Sequence, residues 1–210
     1  MRVRREEGFA LPLALSILAI AGLLVLAAIG FATHNTNRSI RDLRATRALS
    51  AADAGVEAAI YRMNKAIIAS QVQGVLGVPA GVLAQTKCLD LSVGEIEVTE
   101  PLAGGWCAPT TGFEEIDGPG TGGGGWVPAK FSYSVSLGAN IGTAPDDPNA
   151  SLIERKVVAI GTVDDVAKRV LATVHLRLNP SGNLLRVFEQ VGYRQCASAV
   201  PSGSNPAAGC

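Results

Sequence analysis

The sequence predicts an α+β protein in which a long N-terminal helix, first transmembrane and then amphipathic, packs on a C-terminal antiparallel β-sheet. Three observations support this fold class. Residues 9–32 carry no charge, residues 33–69 repeat apolar side chains every three or four positions, and after Val127 the repeat shortens to two. Steps of three or four are typical of a helix with one buried face, whereas strict alternation is typical of half-buried strands.

The uncharged run is long enough to cross a membrane. As a helix, residues 9–32 would extend about 36 Å, against about 30 Å for the hydrocarbon core of a bilayer. A secretory signal peptide has a shorter apolar stretch of about 7–15 residues, although residues 28–32 are similar to a small-residue cleavage site. An ordinary signal anchor is a second alternative. We therefore predict a single N-terminal membrane span.

The orientation signals of this span disagree. Arg2, Arg4 and Arg5 precede it, and four arginines follow it: Arg38, Arg41, Arg44 and Arg47. Counting basic residues alone favours a cytoplasmic C-terminal part. The cysteines favour the opposite orientation, because disulfides form in oxidising compartments. We expect an exported C-terminal part, with the conflict left open.

Residues 33–69 continue the helical pattern without a proline. The apolar stripe comprises Ala45, Leu49, Ala52, Val56, Ile60, Met63 and Ile67. The side away from the stripe is predicted to carry Arg44, Arg47, Ala51, Ala58, Arg62 and Lys65. A change from apolar all round to apolar on one side marks where a helix leaves lipid and begins to hold a globular part.

The C-terminal part predicts four strands in an antiparallel meander. Their ranges are 130–138, 153–163, 168–178 and 184–194. Short turns at 164–165 and 179–183 join the last three, which makes these neighbours antiparallel. A short strand at 92–100 is predicted within the less regular residues 72–127. The arginines expected mostly on the solvent-facing side are Arg155, Arg169, Arg177, Arg186 and Arg194.

The sequence carries no motif that indicates catalysis. His34 and His175 have no nucleophile or metal partner by spacing. The cysteines form no CxxC pair, which argues against zinc, and the glycine run at 118–125 lacks the lysine and serine of a phosphate-binding loop. The formal net charge is zero, so nothing points to nucleic acid. We expect no enzyme, no cofactor and no small-molecule substrate.

The N-terminus resembles the leader of type IV prepilins. A charged octapeptide, MRVRREEG, ends at Gly8, and the apolar run begins at Phe9. The resemblance implies that prepilin peptidase cuts between Gly8 and Phe9 on the cytoplasmic side, and that the new amine of Phe9 is methylated. It further implies that the helix first anchors the protein in the inner membrane and later packs in the core of an extracellular filament.

One position departs from the usual pilin pattern. Pilins usually carry glutamate at the fifth mature position, which is Leu13 here. A carboxylate among apolar groups is costly unless it is paired. Absence of this glutamate is typical of minor subunits at the filament tip, including the PilX-type and K-type families. The resemblance therefore implies a tip or initiation subunit rather than a major pilin.

Residues 49–64, LSAADAGVEAAIYRMN, resemble the N-terminal region of PilX-type minor pilins, where small residues and an acid follow the anchor. The small residues would let a sheet or a neighbouring helix approach the backbone closely. Asp53 lies at the edge of the apolar stripe, and Glu57 follows one turn later and further out. Asp53 is either a partly buried acid that pairs with an arginine of the head or of the next subunit, or a solvated acid on the helix flank.

Four well-separated cysteines in an exported chain predict two disulfides. Cys88, Cys107, Cys196 and Cys210 allow three pairings, and the sequence cannot choose among them. The segment from Cys196 to Cys210 resembles the disulfide-bounded C-terminal loop of pilins, which implies a bridge between these two and leaves Cys88 for Cys107. That pairing has the shortest loops, and closing the C-terminal one would stabilise the fold by about 3 kcal/mol.

These features divide the chain into a leader at 1–8, a transmembrane and filament-core helix at 9–32, an amphipathic helix at 33–69 and a β-rich head at 70–210. The resemblance implies a minor subunit for assembly or for the tip complex of a type IV pilus, with other pilins and prepilin peptidase as partners. Two alternatives are a minor pseudopilin of a type II secretion system and a membrane-anchored adhesive ectodomain that never enters a filament.

Overall fold

The computed structural model describes residues 10–72, 79–92, 95–102, 104–109, 114–116, 128–181, 183–200 and 205–210. The chain divides into two units, Met1–Leu43 and Arg44–Cys210, which are described separately. Helix α1 (Ala10–Val72) contributes residues to both units. The predicted cleavage and methylation residues, Gly8 and Phe9, lie outside the described residues.

The first unit contains the apolar part of α1. Between Leu15 and Phe31, its large apolar side chains are 55% to 73% exposed. Among the residues that the structure describes, α1 is the one helix long and apolar enough to cross a membrane, with a mean hydropathy of 2.6 in its most apolar window. Apolar surface on this scale is unfavourable in water. The helix is therefore compatible with anchoring in a membrane.

The second unit is α+β, as predicted. Its elements before the main sheet are helix α2 (Ala80–Thr86) and a hairpin of β1 (Cys88–Ser92) and β2 (Glu95–Thr99). The main sheet is formed by β3 (Glu114–Ile116), β4 (Ala129–Val135), β5 (Ala139–Ala144), β6 (Asp147–Val163), β7 (Val166–Leu178) and β8 (Leu184–Gln195). Its order is β3-β4-β6-β7-β8, with β5 also paired to β6, and its pairs are antiparallel.

The predicted meander corresponds to β4, β6, β7 and β8. The turn predicted at residues 164–165 joins Val163 to Val166, and Asp164 adopts a φ of 55° there. Aspartate is among the residues that tolerate this left-handed conformation. Strand β5 was not predicted, because its side chains are exposed up to Ala144 and so give no apolar alternation. The short strand predicted at 92–100 corresponds to β2.

The C-terminal part of α1 packs on one face of the main sheet. Its buried residues are Ala48, Ala51, Ala52, Val56, Ala59, Met63, Ala66 and Ile67. Four members of the predicted stripe are among them, and Ala45, Leu49 and Ile60 are half-buried. The placement of Ala51 away from the stripe is wrong, because Ala51 is 1% exposed. The buried face is broader than one stripe because its alanines let the sheet cover adjacent positions.

Helix and sheet are in close contact at Gly161 of β6. A Cβ atom on Gly161 would lie 2.0 Å from the Ala48 carbonyl oxygen and 2.4 Å from the Ala52 nitrogen, both backbone atoms of α1. On the helix side, a Cβ on Gly55 would lie 3.1 Å from Ala159 Cβ. Small residues on both surfaces thus bring the helix backbone against β6, as the segment at 49–64 predicts.

Arg155 and Arg169 are buried, which corrects their predicted placement on the solvent-facing side, and the side chain of Arg186 lies outside the described part of the chain. Arg155 Nε donates to the Ser136 carbonyl at 2.8 Å and Nη2 donates to the Lys87 carbonyl at 2.9 Å. Burial lowers the pKa of Arg155 to about 10. Backbone carbonyls replace water around this cation, which makes its burial tolerable. Arg177 instead pairs with Asp146 and Arg194 is exposed.

We predict that Gly161→Ala lowers the free energy of unfolding by about 3 kcal/mol, because the new methyl group would overlap the α1 backbone. Gly192→Ala in β8 is the matched control, since a Cβ there would lie 3.4 Å from Thr173 Cβ, an ordinary contact. Denaturant unfolding of both variants measures the difference. Equal stability of the two variants would show that the helix does not approach β6 so closely.

Candidate functional site

The candidate site is the line of polar contacts between α1 and β8, which we call the helix–β8 seam. It is formed by Asp53 and Asn64 of α1 and by Phe188 and Tyr193 of β8. The Tyr193 hydroxyl donates to Asp53 Oδ1 at 2.5 Å. The Phe188 N–H donates to Asn64 Oδ1 at 2.7 Å, and Asn64 Nδ2 donates to the Phe188 carbonyl at 3.2 Å.

These two contacts set the direction of the helix along the strand. From Asp53 to Asn64 the helix rises about 16 Å, and from Phe188 to Tyr193 the strand covers about the same distance. Helix numbers increase as strand numbers decrease along the seam, so α1 and β8 run in opposite directions. The amphipathic part of α1 is therefore held in register with the last strand of the sheet.

Asn64 acts on the backbone of β8 as a neighbouring strand would. Strand β8 ends the pairing order of the main sheet. An asparagine amide has an acceptor oxygen, which matches the Phe188 N–H, and an NH₂ donor, which matches the Phe188 carbonyl. Satisfying these groups at the end of a sheet limits pairing with another chain at that point. The sequence pattern did not single out Asn64, because periodicity cannot tell which helix residue meets the strand.

Asp53 has a phenol as its partner within the chain. Its side chain is half-buried, whereas Glu57 is exposed, which agrees with the predicted placement of Asp53 at the edge of the stripe. Burial, followed by the hydrogen bond to Asp53 and the charge of that carboxylate, raises the pKa of Tyr193 to about 12. A carboxylate can accept several hydrogen bonds, so pairing of Asp53 with an arginine of the next subunit stays a prediction.

A second set of polar contacts holds α1 where the second unit begins. Arg44 Nη1 lies 2.9 Å from Asp164 Oδ2 and 3.3 Å from Asp165 Oδ1, both in the β6–β7 turn. All three side chains are partly exposed, so each pair adds little stability by itself. Because Arg44 contacts both acids of the turn, it nevertheless ties α1 to the tip of the longest hairpin.

The disulfides lie at different places: Cys196 and Cys210 belong to the cluster on the sheet face opposite α1, whereas Cys107 packs against the core that α1 shares with the sheet. The structure pairs Cys88 with Cys107 and Cys196 with Cys210, as the resemblance implies. Trp106 is buried in a cluster with Val158, Leu171 and Cys196. The other tryptophan, Trp126, lies outside the described residues.

Leu13, His34 and His175 are not among the residues of the helix–β8 seam. Leu13 belongs to α1, and its side chain is outside the described part of the chain. His34 lies in the exposed part of α1, whereas His175 Nε2 lies 3.4 Å from Glu154 Oε2 across β6 and β7. Within the described ranges there is no group of three or more acidic, histidine or cysteine side chains that could hold a metal ion.

Comparison of this chain with protein-family models, with curated proteins and with solved structures finds no match.

We predict that Tyr193→Phe lowers the free energy of unfolding near neutral pH by about 1 kcal/mol, because the hydrogen bond to Asp53 is lost. The raised pKa means that the folded state favours the protonated phenol. The pKa of tyrosine in the unfolded chain is 10.0, so the stabilisation by Tyr193 is complete below that pH. It is lost as the pH rises towards about 12, the pKa of Tyr193 in the folded protein.

Unfolding curves of the wild type and of Tyr193→Phe between neutral pH and this alkaline range measure the effect. The difference between the two proteins should shrink as the phenol ionises. Tyr61→Phe removes a hydroxyl from an exposed tyrosine of α1 and is the matched control. A difference that stays constant across the alkaline range would contradict the role of the Tyr193 proton.

Proposed function

We propose that this chain is a minor pilin-like structural subunit that acts in assembly, or in the tip or initiation complex, of a type IV pilus. The observation that carries the proposal is the two-part character of α1. One part exposes apolar side chains from Leu15 to Phe31, and the other buries a face of small residues against an antiparallel sheet. A subunit that is first held in a membrane and then packed in a helical bundle needs both parts.

The proposed mechanism is an exchange of helix contacts. In the membrane, lipid chains cover the apolar part of α1. On assembly, the same surface packs against the helices of other subunits, where close van der Waals contact replaces lipid contact. Gly22 and Gly30 favour such packing, because small residues let neighbouring helices approach closely. In the single chain both positions are open, since a Cβ at either would meet nothing within 4 Å.

The contacts within the second unit support a structural role. The helix–β8 seam and the Arg44 contacts join α1 to the sheet at three points between Arg44 and Asn64. Force on the helix would therefore act on the whole second unit. A load-transmitting subunit requires this kind of attachment, whereas an ectodomain on a simple anchor does not.

Leu13 favours a position at the tip or in an initiation complex. The resemblance places Leu13 where most pilins carry a glutamate that pairs with the N-terminal amine of a neighbouring subunit. A subunit with no neighbour above it would have to bury that acid unpaired, at a cost of several kcal/mol. An apolar residue avoids this cost. The same argument applies to a minor pseudopilin of a type II secretion system, which is the second candidate function.

We predict that the mature protein begins at Phe9 when the chain is expressed in a host with a working prepilin peptidase. Intact mass and N-terminal sequencing of the membrane fraction measure this, and they also detect methylation of the Phe9 amine. An N-terminus at Met1 would support a simple anchor instead. An N-terminus at Thr33 would support ordinary secretion.

Gly8→Leu tests whether the junction itself directs processing. A bulky residue before the cut should leave the leader attached, because the resemblance places glycine at the cleavage site. Gly22→Leu is the matched control, since the same change lies inside α1 where a Cβ has open space. Cleavage of Gly8→Leu at the wild-type level would contradict processing at this junction.

We predict that Asp53→Asn lowers the amount of this chain in sheared filaments about tenfold, because an ion pair with the next subunit is lost. The second unit should stay folded, since an asparagine oxygen can still accept from Tyr193. Glu57→Gln changes an exposed acid one turn away and serves as the control. The amount of the Asp53→Asn chain in filaments is measured by immunoblot and compared with the amount in the membrane. A wild-type amount in filaments would contradict the proposed assembly ion pair.

A further inference from the structure

The sheet face opposite α1 carries an open pocket that the proposed function does not use. Its volume is about 520 Å³, within the range of about 300–1,000 Å³ of small-molecule sites. Ser132 and Ser134 of β4 and Val158 and Ile160 of β6 form its floor. One wall consists of Leu102, Trp106, Cys107 and Pro109, and Pro206 contributes the opposite wall.

The two walls belong to the two disulfide-linked segments. Cys107 of the first wall is bonded to Cys88, and Pro206 lies between the bonded Cys196 and Cys210. The first wall is also tied to the sheet, because the Cys107 N–H donates to the Val135 carbonyl at 2.8 Å. The first wall is therefore linked to β1 by a disulfide and to β4 by a hydrogen bond, and the second wall is linked by a disulfide to Cys196, whose N–H donates to the Arg169 carbonyl at 2.9 Å.

Arg169 braces the second wall from the sheet. Its side chain is 1% exposed. Nη1 donates to the Pro206 carbonyl at 3.1 Å and Nη2 donates to the Ala208 carbonyl at 2.6 Å. A guanidinium buried under a short loop holds it in one conformation, since moving the loop would leave the cation without these acceptors. The pocket is thus formed before any ligand arrives, which lowers the entropic cost of binding.

The chemistry of the lining selects the ligand. The described lining residues include no charged side chain, so a charged ligand would lose water without gaining a partner. The indole of Trp106 and the rings of Pro109 and Pro206 are rigid apolar groups, and aromatic ligands pack well on such surfaces. The hydroxyls of Ser132 and Ser134 are the polar side-chain groups of the floor. A few polar groups in an apolar pocket orient a ligand.

We propose that this pocket binds an uncharged aromatic small molecule between the two disulfide-linked segments. The inference does not depend on the proposed pilus function, because it rests on the sheet face opposite α1. The sequence alone predicts no small-molecule substrate. The pocket could not be predicted because its residues come from segments far apart in the chain.

Photolabelling of the full chain in phosphatidylcholine nanodiscs tests the proposal. The probe is trifluoromethyl phenyl diazirine, which is uncharged and aromatic, and peptide mass spectrometry maps the labelled residues. We expect labelling around Trp106 and Ile160 that saturates and that excess naphthalene suppresses. Labelling of the apolar part of α1 reports partition of the probe into lipid and should not be suppressed in the same way.

Ser132→Trp fills the pocket from its floor and should reduce labelling there about tenfold. Thr143→Trp introduces the same side chain at an exposed position of β5, outside the pocket, and should label as the wild type does. Leu102→Asp is a second variant for the case that Ser132→Trp does not fold. Leu102 is half exposed, so the fold tolerates the change, while the new charge should prevent binding.

Three results would overturn the proposal. The first is labelling of the pocket peptides that naphthalene does not suppress. The second is equal pocket labelling of the wild type and the folded pocket variant. The third is equal pocket labelling by the benzoate form of the diazirine, which carries a negative charge and would show that the pocket does not select uncharged ligands. None of these results bears on cleavage of the leader before Phe9, so this proposal and the proposed pilus function can fail separately.

Discussion

The close approach of α1 to strand β6 is the constraint on which the second unit depends. Gly161 leaves no room for a side chain beneath the backbone of Ala48 and Ala52. Because atoms on both sides are backbone, they cannot adjust as a flexible side chain would. The part of α1 that lies over Gly161 must therefore consist of small residues, as Ala48, Ala51 and Ala52 do. This explains why alanines, rather than large apolar residues, form much of the helix side of the core.

Polar contacts then decide how the helix lies on the sheet. The alanine-rich part of the buried face has side chains too small to interlock with the sheet, so it contributes little to the register of the helix. Asn64 and Asp53 contribute more, because each has one partner on β8 at a fixed point along the strand. Arg44 adds a contact at the β6–β7 turn. Small residues thus set the distance between helix and sheet, and the polar residues set the register.

The two faces of the sheet have different organisation. The face towards α1 is closed by a continuous apolar core. On the opposite face, the described residues that cover Val158 and Leu171 are Trp106 and the disulfide-bonded Cys196 and Cys210 with Ala207. Short glycine- and proline-containing segments cannot bury enough surface to stay in place unaided. Covalent bridges supply the missing restraint, and the space that remains between the segments is the pocket.

Local patterns in the sequence determined the elements that repeat regularly. The uncharged run, the apolar stripe and the alternation of the four main strands predicted the class and the order of α1, β4, β6, β7 and β8. Each of these signals comes from neighbouring residues, whose periodicity follows from the geometry of a helix or a strand. Only the tertiary structure decided the contacts between distant residues. Arg155 and Arg169 are buried because carbonyls from other segments surround them, and Tyr193 meets Asp53 because α1 lies along β8. No periodicity within one segment records such a meeting, since its free energy depends on both partners at once.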